Sequence, residues 1–424
     1  MIDHALLQAI AEYYLSSGDF NGYSVSRMRS EFNLTNSSAK ETVSRLLKAR
    51  KIDVVFGNIH PNPHIKAFSN ITNEDQLKFL DELEFTDHIC LYPNREFLAI
   101  LPDVERYRNS PFELELALGA GQLDFRVFDL SVLEHYRNDP RYYYETDSIN
   151  GSISITNEYF ESETMPEHDQ VLLDTFGFAY DDQLNRAVAV FLRYLSKLSP
   201  EHQRIWETKR LNGDYKLHPD YYRNSILGDW GTRISIFDAF TQELKVINAM
   251  AVLMGRPQLF RSSFSDELPK DFGFLLRPTL AEFNSFVLLL DKMMSENINK
   301  EFFAGQISLE IDEERQDGKV VVNQKGTIVL LEEWVRKYFR PTDPEPLVAL
   351  FKGFRTVRKL RQKPAHSVNE NIFDLKYFKV QRQLILDAYI SVRTLRLLFA
   401  NHPKVKKSPP EIGDHLERGE IWDI

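Results

Sequence analysis

Arg361-Gln-Lys-Pro-Ala-His366 brings an arginine and a histidine to within five positions of each other. A guanidinium can hold a phosphodiester through two parallel hydrogen bonds, and an imidazole titrating near neutral pH can move a proton. Arg361 and His366 are therefore candidates for phosphodiester cleavage, with Gln362 as the polar group between them. The segment closes a basic run in which Arg355, Arg358, Lys359, Arg361 and Lys363 supply five positive charges and no acid intervenes. Arg355, Arg358, Lys359 and Lys363 are candidate nucleic-acid contacts. The competing interpretation is a helix end whose cations complement the helix dipole. A similar spacing recurs at Arg396–His402, which reads as an ordinary helix terminus, so spacing alone carries little. A basic helix end, polar Gln362 and the break at Pro364 set the first pair apart.

A second basic island runs from Ser24 to Lys51, with seven Lys or Arg against Glu31 and Glu41. The chain as a whole carries −10. That balance argues against polyanion binding by the entire surface and for local anion sites. Within the island, Ser37, Ser38, Lys40, Arg45 and Lys48 are the candidate nucleic-acid-binding residues, since short polar groups and cations suit phosphates and base edges. A solvated helix face is the alternative.

Other chemistries lack their residues. Glu201-His202 would open a zinc-protease motif, but Trp206 stands where the second histidine is needed. There is no G-x-S-x-G and no phosphate-binding P-loop. The single cysteine, Cys90, allows no intramolecular disulfide and no cysteine zinc cluster. No metal or cofactor is expected. The longest apolar runs, such as 286–290, are too short for a bilayer, and the first residues lack the pattern of a signal peptide. The expectation is a soluble, cytoplasmic protein with no membrane contact.

At 424 residues the chain is too long for one ordinary core. Residues 3–17 carry an amphipathic stripe, 24–32 a short helix, and 39–49 a third helix with Val43, Leu46 and Leu47 inward. Ile52–Phe56, a Gly-Asn turn and Ile59–Phe68 read as a hairpin. Residues 73–160 read as a small α+β block with strands near 123–128 and 151–155, and an aromatic cluster at Tyr142–Tyr144. Residues 166–270 read as helical, with Leu184–Leu198 at helical spacing. Helices follow at 279–303, 327–339, 347–361 and 373–400, with a hairpin over 310–322. Residues 404–424 read as a mobile polar tail.

The order helix, helix, turn, basic helix, hairpin over residues 1–70 resembles a winged helix-turn-helix. Residues 275–403, with Arg361 and His366 between their last two long helices, resemble the HEPN superfamily. The expected fold class is thus mainly α and multidomain: a winged helix, a small α+β middle block and a C-terminal HEPN-like helical bundle. The HEPN resemblance implies a metal-independent endoribonuclease acting on RNA. In it the ribose 2′-OH attacks its own phosphate, His366 serves as base or acid, Arg361 stabilises the phosphorane and Gln362 orients the phosphate or imidazole. It further implies a homodimer and a toxin or antiviral-defence setting. Gln362 and Pro364 depart from the usual motif. Two alternatives remain from the residues: a non-catalytic winged-helix regulator that contacts DNA and dimerises through its helices, and a scaffold subunit.

Overall fold

The computed structural model describes residues 2–147, 149–162, 166–231, 233–265, 268–314, 320–362 and 370–423. The chain packs as two units. One comprises Met1–Tyr144 with Asn150–His218, the other Glu145–Ile149 with Pro219–Ile424.

The first unit opens with α1 (Ile2–Ser16), β1 (Tyr23–Ser24), α2 (Val25–Phe32), α3 (Asn36–Lys48) and β2 (Ile52–Val55). Ser24 caps α2 by accepting from the Arg27 N–H, and Asn33 ends it in the left-handed conformation. Leu6, Ile10, Val25, Met28, Ala39, Val43, Leu47 and Ile52 fill the core between these elements. The partner of β2 is not the expected Ile59–Phe68. Residues 59–68 contain Pro61 and Pro63, which cannot donate to a ladder. Instead β3 (Cys90–Pro93) pairs antiparallel with both β1 and β2, giving the order β1-β3-β2. The helix α4 (Asn73–Glu82) lies in the intervening stretch.

The rest of this unit corrects the expected helical region. A six-stranded sheet is built from β4 (Phe125–Phe128), β5 (Tyr142–Thr146), β6 (Asn150–Ile155), β7 (Leu172–Tyr180), β8 (Arg186–Phe191) and β9 (Lys216–Leu217). Its order is β4-β8-β7-β6-β5, with β9 also on β7. The stretch Leu184–Leu198 is thus mainly a strand and one helical turn. Ala187, Val188, Ala189, Val190 and Phe191 are all buried, because β8 lies between β4 and β7. A strand buried on both faces does not alternate, so its apolar run also satisfies helical spacing. Helix α5 (Pro200–Glu207) follows, with Ser199 as its cap.

The second unit is formed mainly by α6 (Ile236–Leu253), α7 (Leu280–Met293), α8 (Thr327–Tyr338), α9 (Glu345–Gln362) and α10 (Lys376–Ala400). Phe240, Leu244, Leu290, Leu350, Phe354, Val357, Leu384, Val392 and Phe399 join them in one core. Gly353 lets α9 approach α10: a β-carbon there would sit 2.0 Å from Ser391 Oγ. The helix expected over 279–303 stops at Met293, because Asn297 turns its amide onto the carbonyls of Met293 (3.0 Å) and Ser262 (2.7 Å). A hairpin of β11 (Glu310–Glu314) and β12 (Val320–Gln324) follows, its turn lying outside the described residues. β10 (Ile234–Ser235) pairs in parallel with β13 (Ile421–Trp422). The expected mobile tail is docked among the helices. Val405 and Leu416 are buried in the core, and Arg393 donates to the Leu416 carbonyl at 2.7 Å.

The chain is about 50% helix and 15% strand, in several sheets. The fold class is mixed α/β, and the expectation of a mainly α protein is overturned. Among the described residues no helix is long and apolar enough to cross a membrane.

Candidate nucleic-acid interface

Thr35 fixes the start of α3, accepting from the Ser38 N–H at 3.2 Å. Ser38 turns its hydroxyl back to Thr35, which makes it part of the cap and draws it away from an outside ligand. Ala39, Thr42, Val43, Leu46 and Leu47 face the core. The opposite stripe, Ser37, Glu41, Arg45 and Lys48, is exposed, with Lys40 and Ser44 half-buried beside it. The helical period alone produces this division.

The cations of the island then separate into two groups. Arg45 is held by Asp3 of α1 through Nε at 3.2 Å and Nη2 at 2.9 Å, and its guanidinium keeps Asp3 below the usual carboxylate range. Arg27 pairs with Glu31 at 2.6 Å and Arg29 with Asp87 at 2.7 Å. Lys40, Lys48 and Lys51 make no ion pair among the described residues. Helix α4 runs beside α3, tied by Asn73 Nδ2 to the Leu47 carbonyl at 3.0 Å. Between them lies a groove of about 390 Å³ bordered by Ser37, Lys40, Glu41, Ser44 and Arg45 on α3 and by Leu80 and Asp81 on α4. The unpaired positive charge therefore sits at both ends of α3, with Lys40 one turn from Ser37 on the groove and Lys48 and Lys51 at and beyond the C-terminus.

The Arg361 region is arranged differently. Asp291 of α7 is fully buried; Arg361 Nη1 reaches its Oδ2 at 3.1 Å. Arg358 Nε lies 3.1 Å from Oδ1 but out of hydrogen-bond line, so the attraction there is ionic. Glu296, placed by the early end of α7, pairs with Arg361 and stands 3.9 Å from Arg358. Arg355 pairs with Glu332 of α8. Three cations of the run thus tie α9 to α7 and α8. Lys359 and Gln362 are exposed, and neither makes an ion pair or side-chain hydrogen bond among the described residues. Lys363 and His366 lie outside the described residues. The structure brings Arg358 and Arg361 together with two carboxylates, an arrangement that neutralises their charge rather than offering it to a phosphate.

Three polar features were not legible as contacts in the sequence. In the first unit the Trp206 Nε1–H donates to Tyr136 Oη at 2.9 Å, and the Tyr136 hydroxyl donates to His202 Nδ1 at 2.8 Å. His202 Nε2–H then faces Asp169 Oδ1 at 3.4 Å. This buried chain gives His202 a structural role. Second, Arg396 is buried against Glu243, while His402 caps the helix Pro403–Lys407. Third, Cys90 is buried, and burial pushes its thiol up to about 12, which disfavours the nucleophilic thiolate. Among the described residues no group of three or more His, Cys, Asp or Glu is placed to hold a metal ion.

Burial lowers the His202 pKa from its ordinary 6.5, with the Asp169 hydrogen bond opposing and the neighbouring His135 and His168 adding to the shift. The folded state thus binds this proton less readily than the unfolded chain. The stability contributed by neutral His202 is complete above about pH 6.5 and is lost as pH falls toward the depressed folded value. Urea midpoints at pH 8 and pH 5 should therefore differ more for the wild type than for His202→Gln. Equal differences would show that His202 does not titrate between the two states.

No protein-family model, curated protein or solved structure matches the chain.

Proposed function

We propose that this protein binds duplex DNA through α3 and acts as a non-catalytic regulator, working in the cytoplasm. The observation that carries the reading is the contrast between its two basic islands. The cations of 355–361 are largely consumed by Glu332, Asp291 and Glu296, whereas Lys40, Lys48 and Lys51 make no ion pair among the described residues. The arrangement around α3 supports it: two helices, a basic helix and a sheet ordered β1-β3-β2 resemble a winged helix-turn-helix. Phosphate contacts from lysines along and just beyond such a helix would fix its register on the duplex. The test is binding of a fluorescent duplex by the wild type and by Lys40→Glu/Lys48→Glu. Loss in the variant supports the reading, and equal binding removes α3 from it.

An endoribonuclease centre at Arg361, Gln362 and His366 is less well supported, because the guanidinium that would meet the scissile phosphate already faces two carboxylates. A homodimer through α10 would use Val380, Ile390 and Leu397, its exposed large apolar side chains. Sedimentation equilibrium decides that point: a monomer at micromolar concentration removes it.

A further inference from the structure

A cleft of about 760 Å³ opens in the first unit, within the size range that encloses a small organic ligand. Its walls come from Arg50 and Asp53, from the segment Lys66–Gln76, from Asn94–Glu96 and from Glu115–Arg126. Most of its charge is settled internally. Lys66 Nζ donates to Asp53 at 2.7 Å and to the Gly119 carbonyl at 3.0 Å. Arg126 Nε meets Glu115 at 2.8 Å. Two cations are not settled: Arg50 and Arg95 are exposed on this cleft and make no ion pair or side-chain hydrogen bond among the described residues.

Their placement is specific. Asn94 N–H donates to the Lys51 carbonyl at 2.9 Å, extending the β2–β3 pairing past Ile52↔Pro93. The next residues, Arg50 and Arg95, thereby come to the same end of the ribbon, where like charges disfavour one another unless an anion joins them. Arg50 is also strained. It follows α3 in the left-handed conformation, φ 54°, with its N–H on the Leu47 carbonyl. Glycine fits that position without penalty, and a side chain there costs about 1 kcal/mol. Among the described residues no ion pair or side-chain hydrogen bond of Arg50 offsets that cost. The same cleft presents the exposed carboxylates Glu74 and Glu96, with Phe68 half-buried in the wall, while Asp124 accepts from Ser69 and Gly121 and the amides of Asn73 and Asn94 donate to the Leu47 carbonyl and to Asp53. Carboxylates repel a second anionic group but accept hydrogen bonds from hydroxyls. A fitting ligand is then anionic at one end, bears hydroxyls elsewhere and can lie on an aromatic ring.

We propose that this cleft binds a nucleoside monophosphate, the phosphate between Arg50 and Arg95 and the ribose hydroxyls on the carboxylates. The phosphate has two possible sources, a free nucleotide or the 5′ end of a strand, and the test separates them. Calorimetric titrations of the full chain would use AMP, GMP, CMP and UMP, then inorganic phosphate, ribose 5-phosphate, and an oligoribonucleotide with and without a 5′-phosphate. At least one monophosphate should bind at least about tenfold more tightly than inorganic phosphate or ribose 5-phosphate. Arg50→Gly/Arg95→Ala should weaken that binding by at least about tenfold, while the relief of backbone strain keeps its melting temperature at or above the wild-type value. Lys40→Glu/Lys48→Glu should bind the nucleotide like the wild type, so failure of the DNA reading leaves this one standing. Binding of the 5′-phosphorylated strand without any free monophosphate assigns the cleft to strand ends, provided Arg50→Gly/Arg95→Ala abolishes it. The proposal is overturned if no monophosphate and no 5′-phosphorylated strand binds at millimolar concentration. It is equally overturned if ribose 5-phosphate matches the nucleotides, or if the Arg50→Gly/Arg95→Ala variant binds unchanged.

Discussion

Replacing Arg358 and Arg361 together by alanine is expected to destabilise the protein by about 3–5 kcal/mol, the range for stripping a buried charge of its partners. Asp291 is fully buried, and these two guanidiniums are the cations that face it, each at 3.1 Å. Arg361→Ala alone should cost less, because Arg358 remains and Glu296 can relax into solvent. Adding Asp291→Asn to the double variant should recover part of the loss, since the uncompensated charge is then gone. Denaturant unfolding of the full chain measures all three. A double variant within about 1 kcal/mol of wild type would mean that the cluster is dispensable for the fold. If Arg361→Ala kept full stability but abolished cleavage of RNA by the protein, the endoribonuclease reading would replace the regulator.

The second large effect belongs to α3. Lys40→Glu/Lys48→Glu changes the local charge by four units without touching Ala39, Val43 or Leu47, the buried side of the helix. Duplex binding should fall by at least about a hundredfold at low salt, because reversed charges repel the phosphates that the lysines attracted. Arg45→Ala should have a smaller effect on binding, since Asp3 already holds that guanidinium. Its cost to stability is small, the loss of one solvent-exposed pair between α3 and α1. Circular dichroism of each variant distinguishes lost contacts from lost fold.

Much of the helical framework was legible in the sequence because capping and apolar period are local. Ser235 and Thr279 cap α6 and α7 where the apolar stripes begin. The basic helix α3 was also legible, although it begins at Asn36, capped by Thr35, three residues before the expected start at Ala39. β8 was misread because burial on both faces removes the alternation that marks a strand. The partner of β2 was misplaced because pairing depends on residues 90–93, beyond an inserted helix. The candidate site divided in the same way. That Lys48 lies on the exposed side of α3, with Lys40 half-buried at its margin, followed from the helical period. What neutralises the other cations did not, since Arg361 meets Asp291 across 70 positions and Arg45 meets Asp3 across 42. A charge run reveals how many cations a segment has; only the fold reveals how many remain unpaired.

The most direct test of the DNA reading is the salt dependence of duplex binding by the wild type, measured by anisotropy between about 50 and 200 mM salt. Three lysine–phosphate contacts, from Lys40, Lys48 and Lys51, predict a slope of log K against log salt near −2.7, at about −0.9 per contact. Changing all three to alanine should bring that slope close to zero. Absence of binding at micromolar protein and 50 mM salt, or a slope unmoved by the triple change, would contradict it.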